Sequence, residues 1–159
     1  MGTPTITRSL ILLTAEHMPA GAVIFTHIDE HTQVETVFSV THLWMAVKTA
    51  VATKKMTPTR IKVDAKFAKW CKVNRGVERH RLNRIKAKDL NEPILMLQQP
   101  EKQTMLLVDG HHRYVKAANL MKRTIPAFLL PPEIWELCIV TGLPPSTPEE
   151  LARMYSGIN

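Results

Sequence analysis

The sequence predicts an α+β domain, a small mixed sheet flanked by helices. Short runs rich in Val, Ile, Leu, Phe and Thr recur at residues 22–28, 33–40, 60–63, 93–97, 104–108 and 124–130. Stretches with apolar residues at helical spacing separate several of them, and turn residues punctuate the junctions. At 159 residues, with 45% apolar and 22% charged residues, the chain suits one compact domain over 1–159.

Residues 22–28 and 33–40, separated by Asp29-Glu30-His31-Thr32, read as a β-hairpin. Thr41 is placed to cap a helix to about Thr53, with Leu43, Val47, Ala50 and Val51 on one face. After the break at Met56-Thr57-Pro58-Thr59 come a short strand over 60–63 and a basic helix over 65–73, which ends near Gly76. Residues 77–88 mix basic and apolar positions without a clear period and stay unassigned. Residues 93–97 and 104–108 read as strands joined by a turn at Pro100. The second is a continuous apolar run and is expected to lie centrally in the sheet. A helix is expected over 111–123 and a strand over 124–130. Pro131-Pro132 opens another helix that Gly142 ends, and a short C-terminal helix follows over 148–155. The motif-bearing core thus spans 89–130, with short helices within 132–156.

No stretch approaches the roughly 20 apolar residues a membrane span needs, so no membrane partner is expected. The run at 10–13 is too short for a signal-peptide core. Cys71 and Cys138 cannot form a disulfide framework, which points to a reducing cytoplasm. Charge is the more informative quantity. The net charge is +7, yet residues 48–88 hold 14 Lys or Arg against only Asp64 and Glu78, so this segment alone carries +12. Such asymmetry marks an electropositive face for a polyanion, and nucleic acid is the first candidate. Lys66, Lys69, Lys72, Arg75, Arg79, Arg81 and Arg84 are its expected contacts, forming one surface continuous with Arg113. Trp70, inside Lys69-Trp70-Cys71-Lys72, is either core or a ring for stacking on a base.

The segment Met105-Leu106-Leu107-Val108-Asp109-Gly110-His111-His112-Arg113-Tyr114 runs from an apolar strand through Asp-Gly straight into a helix. Asp109 is placed to cap that helix, and Gly110 permits a tight turn or a close approach. Free N–H groups at the positive helix end suit a phosphate. Arg113 adds a forked donor, and His111 and His112 are candidates to donate hydrogen bonds or move protons. Asp64 and Glu92, next to strands, are candidate bases or Mg²⁺ ligands, and no complete metal-ligand set is recognisable. His27 and His31 flank a turn and do not make such a set.

The run from Glu92-Pro93-Ile94, through Val108-Asp109-Gly110-His111-His112-Arg113-Tyr114 and Ala117-Ala118, to Ile125-Pro126-Ala127 resembles the ParB/sulfiredoxin superfamily over about a quarter of the chain. The resemblance implies a ParB/sulfiredoxin-like fold with a phosphate-holding turn at Asp109, Gly110, His111, His112 and Arg113. Where sulfiredoxins carry a catalytic cysteine this chain has His111, so that activity is not expected. In the chromosome-partition proteins an acid and an arginine follow the glycine and bind CTP; here His111 and His112 replace them. The string Asp-Gly-His-His-Arg resembles the free-serine kinases, which use ATP or ADP, and standalone ParB-like nucleases share the turn. The expected function is therefore a phosphate- or nucleic-acid-binding nuclease or nucleotide phosphohydrolase, with His111, His112, Glu92 and Asp64 as candidate catalytic groups. A small-molecule kinase or a non-catalytic interaction protein of the same fold is the alternative.

Overall fold

The computed structural model describes residues 21–141, together with 13, 14 and 18. The helix expected over 148–155 lies outside the described residues, as does most of the apolar run at 10–13. The described chain is α+β. In order it runs β1 (Leu13–Thr14), β2 (Ile24–Ile28), β3 (Glu35–Ser39), α1 (Val40–Ala52), β4 (Thr59–Lys62), α2 (Ala65–Asn74) and α3 (Arg79–Arg84). A 3-10 turn (Ala87–Asn91) leads to β5 (Ile94–Gln99), β6 (Thr104–Asp109), α4 (His111–Asn119), β7 (Thr124–Leu130), α5 (Pro132–Trp135) and β8 (Val140–Thr141).

Four strands form a mixed sheet in the order β4-β7-β5-β6. β5 runs parallel to β7 and antiparallel to β6, while β4 is antiparallel to β7. β2 and β3 form the expected hairpin, with Ile24 opposite Ser39. Side chains of the sheet alternate between two cores. Ile94, Met96, Leu107, Ile125 and Ala127 meet α2, α3 and α4 on one face. Leu95, Leu97, Leu106, Val108 and Leu130 meet the hairpin and α1 on the other. Covering both faces explains the continuous apolar runs in β5 and β6.

Several local expectations change. β6 is not central: among the described residues it pairs with β5 alone and forms the edge of the sheet. Its apolar run reports two covered faces and says nothing about its hydrogen-bonded sides. Ser39, not Thr41, caps α1 by accepting from the His42 N–H at 3.2 Å. The Thr41 hydroxyl instead accepts from the Val23 N–H at 2.9 Å. The helix opened by the prolines is short: α5 ends at Trp135, a 3-10 turn follows over Glu136–Cys138, and then Ile139 bridges Phe38 and Val140 pairs with Leu13. The unassigned stretch contains α3 and the 3-10 turn.

The turn from β6 into α4 positions everything that follows. Gly110 occupies the N-cap with φ +101°, a conformation that favours glycine. A Cβ there would lie 2.4 Å from Ile94 Cγ2 and 2.8 Å from Ile94 Cβ. Gly110→Ala combines left-handed strain of ~1–2 kcal/mol with overpacking of ~1–3 kcal/mol, so a loss of about 3 kcal/mol is expected. Urea unfolding of the two proteins measures it. A loss below about 1 kcal/mol would show that the turn can relax away from β5.

Candidate functional site

Asp109, Gly110, His111, His112 and Arg113 are consecutive, yet the structure sends them in different directions. Asp109 does not cap α4, since Gly110 holds that position and no side chain caps the helix. The Asp109 Oδ2 accepts from the Trp44 indole N–H at 2.7 Å, joining the end of β6 to α1. A partly buried indole N–H gains from such an acceptor.

His111 is only 3% exposed. Its ring lies 5.8 Å from the Phe25 ring at an interplanar angle of 22°. Burial above all, then the Arg75 guanidinium and His112, pushes its pKa down to about 3, against a small opposing effect of its hydrogen bond to the Leu107 backbone. Nε2 has no partner. His111 is therefore a buried ring packed on Phe25 and held neutral near pH 7.

His112 is 4% exposed and faces the other way. Its Nε2 accepts from the Glu78 N–H at 3.1 Å, just before α3. Nδ1 is buried without a partner, a condition that costs about 1–3 kcal/mol. Burial and then Arg81 lower its pKa, with Glu78 opposing.

Arg113 is anchored. Its Nη1 donates to the Glu92 carbonyl at 2.8 Å and to the Pro93 carbonyl at 3.0 Å. These bonds tie α4 to the start of β5, so Arg113 is structural as well as a candidate ligand. Around it lies a cleft of about 310 Å³ lined by Arg81, Arg84, Ile85, Asp89, Gly110, His112 and Arg113. Three arginines thus line one cleft beside the N-terminus of α4. Arg81 and Arg84 make no ion pair among the described residues. Asp89 is the only carboxylate in the lining, and its Oδ2 accepts from the Lys86 N–H at 2.8 Å.

The other expected contacts lie elsewhere. Lys69 and Lys72 line a separate depression with Ala65, Ala68, Val73, Ala118 and Asn119, and Lys72 Nζ donates to Asn119 Oδ1 at 3.0 Å. Lys66 and Arg79 are exposed and line neither. The Arg75 guanidinium is held between the Phe25 ring at 4.8 Å and the Trp70 ring at 4.9 Å. Trp70 also stacks on Phe67, so its ring is engaged by the protein's own side chains. Asp64 caps α2, accepting from the Lys66 N–H at 2.8 Å. Glu92 is exposed and offers Arg113 its carbonyl. Sequence reasoning missed Asp89, Glu78 and Trp44. For Glu78 a signal existed, because it is one of only two acids within the +12 segment.

The buried histidines make stability depend on pH. His111 binds its proton more readily unfolded, near its ordinary 6.5, than folded, near 3. Its contribution is complete above pH 6.5 and declines as pH falls. At pH 5 about 2 kcal/mol should be lost, at ~1.4 kcal/mol per pH unit. Urea unfolding at pH 7.5 and 5 should show that drop, with a shallower one in His111→Asn. Equal pH dependence in both proteins would show that His111 is not the group responsible. No protein-family model, curated protein or solved structure matches this chain.

Proposed function

We propose that this protein binds a nucleic acid or nucleotide through phosphate at the turn formed by Gly110, His111, His112 and Arg113, as a standalone ParB-like protein that cleaves phosphodiester or nucleotide phosphate bonds. The observation that carries this reading is the cleft itself. Arg81, Arg84 and Arg113 line about 310 Å³ at the N-terminus of α4, and among the described residues the first two pair with no carboxylate. Arginines gathered on one concavity are matched by an anion with several acceptor oxygens. The resemblance of the Asp-Gly-His-His-Arg string to phosphate-holding turns supports the same ligand.

In this reading the arginines stabilise charge that develops on the attacked phosphoryl group. Burial holds His111 neutral, and His112 Nε2 already accepts from the Glu78 N–H. Mg²⁺, which takes one or two carboxylates together with substrate phosphates, would find Asp89 in the cleft and would supply an activated water. Asp64, engaged as a helix cap, is the weaker candidate for that role. A nucleotide-dependent kinase for a small hydroxyl substrate is the second reading. One observation favours it: the cleft and the depression holding Lys69 and Lys72 are separate, with no lining residue in common.

Binding of ATP, ADP, CTP and single- and double-stranded DNA, measured by fluorescence anisotropy at two salt concentrations, tests the reading. Arg81→Ala and Arg84→Ala should each weaken binding by roughly tenfold or more, since a charge-assisted hydrogen bond contributes ~1.5–3 kcal/mol. Steep salt dependence with DNA supports the nucleic-acid form, and nucleotide binding without DNA binding supports the kinase. Unchanged affinity in both variants would remove the cleft as the site. Arg113→Ala is a different experiment, because losing the Glu92 and Pro93 bonds should also lower stability by ~1–3 kcal/mol. Arg113→Lys should recover part of that stability but less of the binding.

A further inference from the structure

One residue lining the cleft, His112, carries a buried nitrogen that the arginines do not account for. A backbone N–H can only donate, so the Glu78 N–H directed at His112 Nε2 requires that nitrogen to be an acceptor. A neutral imidazole then carries its hydrogen on Nδ1. That nitrogen is buried and has no partner, and the ring lines the cleft. The groups facing His112 are Glu78, His80, Arg81 and Arg84 from α3 and its approach, Arg113 from α4, and Asp89 from the 3-10 turn. Cations predominate among them, so an added proton on the ring would meet like charge and would also displace the Glu78 bond.

We propose that His112 is a neutral hydrogen-bond donor locked in the Nδ1–H tautomer, and that with the three arginines it makes the cleft a receptor for a terminal phosphate. This deepens the phosphate reading given above and rests on it. A terminal phosphate offers three acceptor oxygens and close to two negative charges near neutral pH. An internal phosphodiester offers one charge and two free oxygens, and its chain must leave the site on both sides. Converging donors around one compact cleft match the former. The lysines that would follow a continuing backbone line a different depression. The source is either the end of a nucleic-acid strand or a nucleotide, and both present the same group.

Two measurements on the full chain decide the matter. Long-range proton–nitrogen NMR of the His112 ring, without ligand, should report a hydrogen on Nδ1 and a bare Nε2 from pH 6 to 8. A charged ring or the opposite tautomer overturns the proposal without touching the phosphate reading. Anisotropy or calorimetric titrations then compare inorganic phosphate, ATP, a 5′-phosphorylated oligonucleotide and the same oligonucleotide lacking that phosphate. The phosphorylated strand should bind about tenfold or more tightly than the unphosphorylated one, and ATP separates the nucleotide source from the strand end. Affinity should not fall as pH rises from 6 to 8. His112→Asn, which keeps a donor near the Nδ1 position, should retain binding better than His112→Phe. Equal binding of the two oligonucleotides overturns the terminal-phosphate assignment and leaves phosphate binding standing. Absence of binding in every arm overturns both.

Discussion

The turn from β6 into α4 rests directly on the first residue of β5, and the rest of the structure follows from that contact. Gly110 approaches Ile94 at a distance where any β-carbon would collide. One turn of helix later, Arg113 reaches back to the carbonyls of Glu92 and Pro93. The start of β5 is therefore held between a glycine and a guanidinium from a single helical turn. α4 is then fixed in position along one face of the sheet. From it the Tyr114 hydroxyl accepts from the Asp64 N–H at 2.7 Å, which places the start of α2. His112 likewise accepts from Glu78 and places the approach to α3. Remote segments are hung from one short helix by polar contacts, with the apolar core filling in between.

That geometry assigns the two adjacent histidines different work. Neighbouring residues on a helix differ by about 100° in direction, so one ring cannot share its neighbour's surroundings. His111 turns to Phe25 and hydrogen-bonds the Leu107 backbone of β6. His112 turns to α3 and the cleft. Both are kept uncharged by burial, among arginines that would repel a second positive charge. A His-His pair beside an arginine reads as acid–base chemistry in a sequence. Here the fold separates the pair into a packing residue and a hydrogen-bonding one.

What the sequence made legible was mostly local. The hairpin, the strand–turn–helix at Asp109 and Gly110, and the order of β5, β6, α4 and β7 all follow from runs, turn residues and helical spacing. α3 escaped because Arg79–Arg84 contains one apolar residue, Leu82, which is too few to reveal a period. The edge position of β6 escaped because apolar runs register covered faces and not ladder partners. Of the candidate site, the turn itself and Arg81 and Arg84 were visible. The Trp44–Asp109 bond was not, since its partners lie 65 positions apart and neither spacing nor composition links them. Nor was the division of the basic segment. Gly76 has φ +61° at the break between α2 and α3, and the direction the chain takes there decides which cations share a surface.

That division sorts the cations by type as well as by place. The cleft takes its charge from arginines, whose planar forks fix acceptor oxygens in direction. The depression beside α2 takes its charge from lysines, which act as hydrated point charges on flexible stems. Exposed charges of the second kind act over about a Debye length, ~8 Å at physiological salt, and raise the local concentration of an anion without orienting it. Arginines carry the same long-range charge and at contact add directed hydrogen bonds that confer geometry. On the phosphate reading the +12 segment therefore works at two ranges. Lys66, Lys69 and Lys72 would draw an anion toward the helical face, and Arg81, Arg84 and Arg113 would select its terminal group once it arrives. Salt should then weaken the first effect far more than the second, because a partly enclosed pair is screened less than an exposed one.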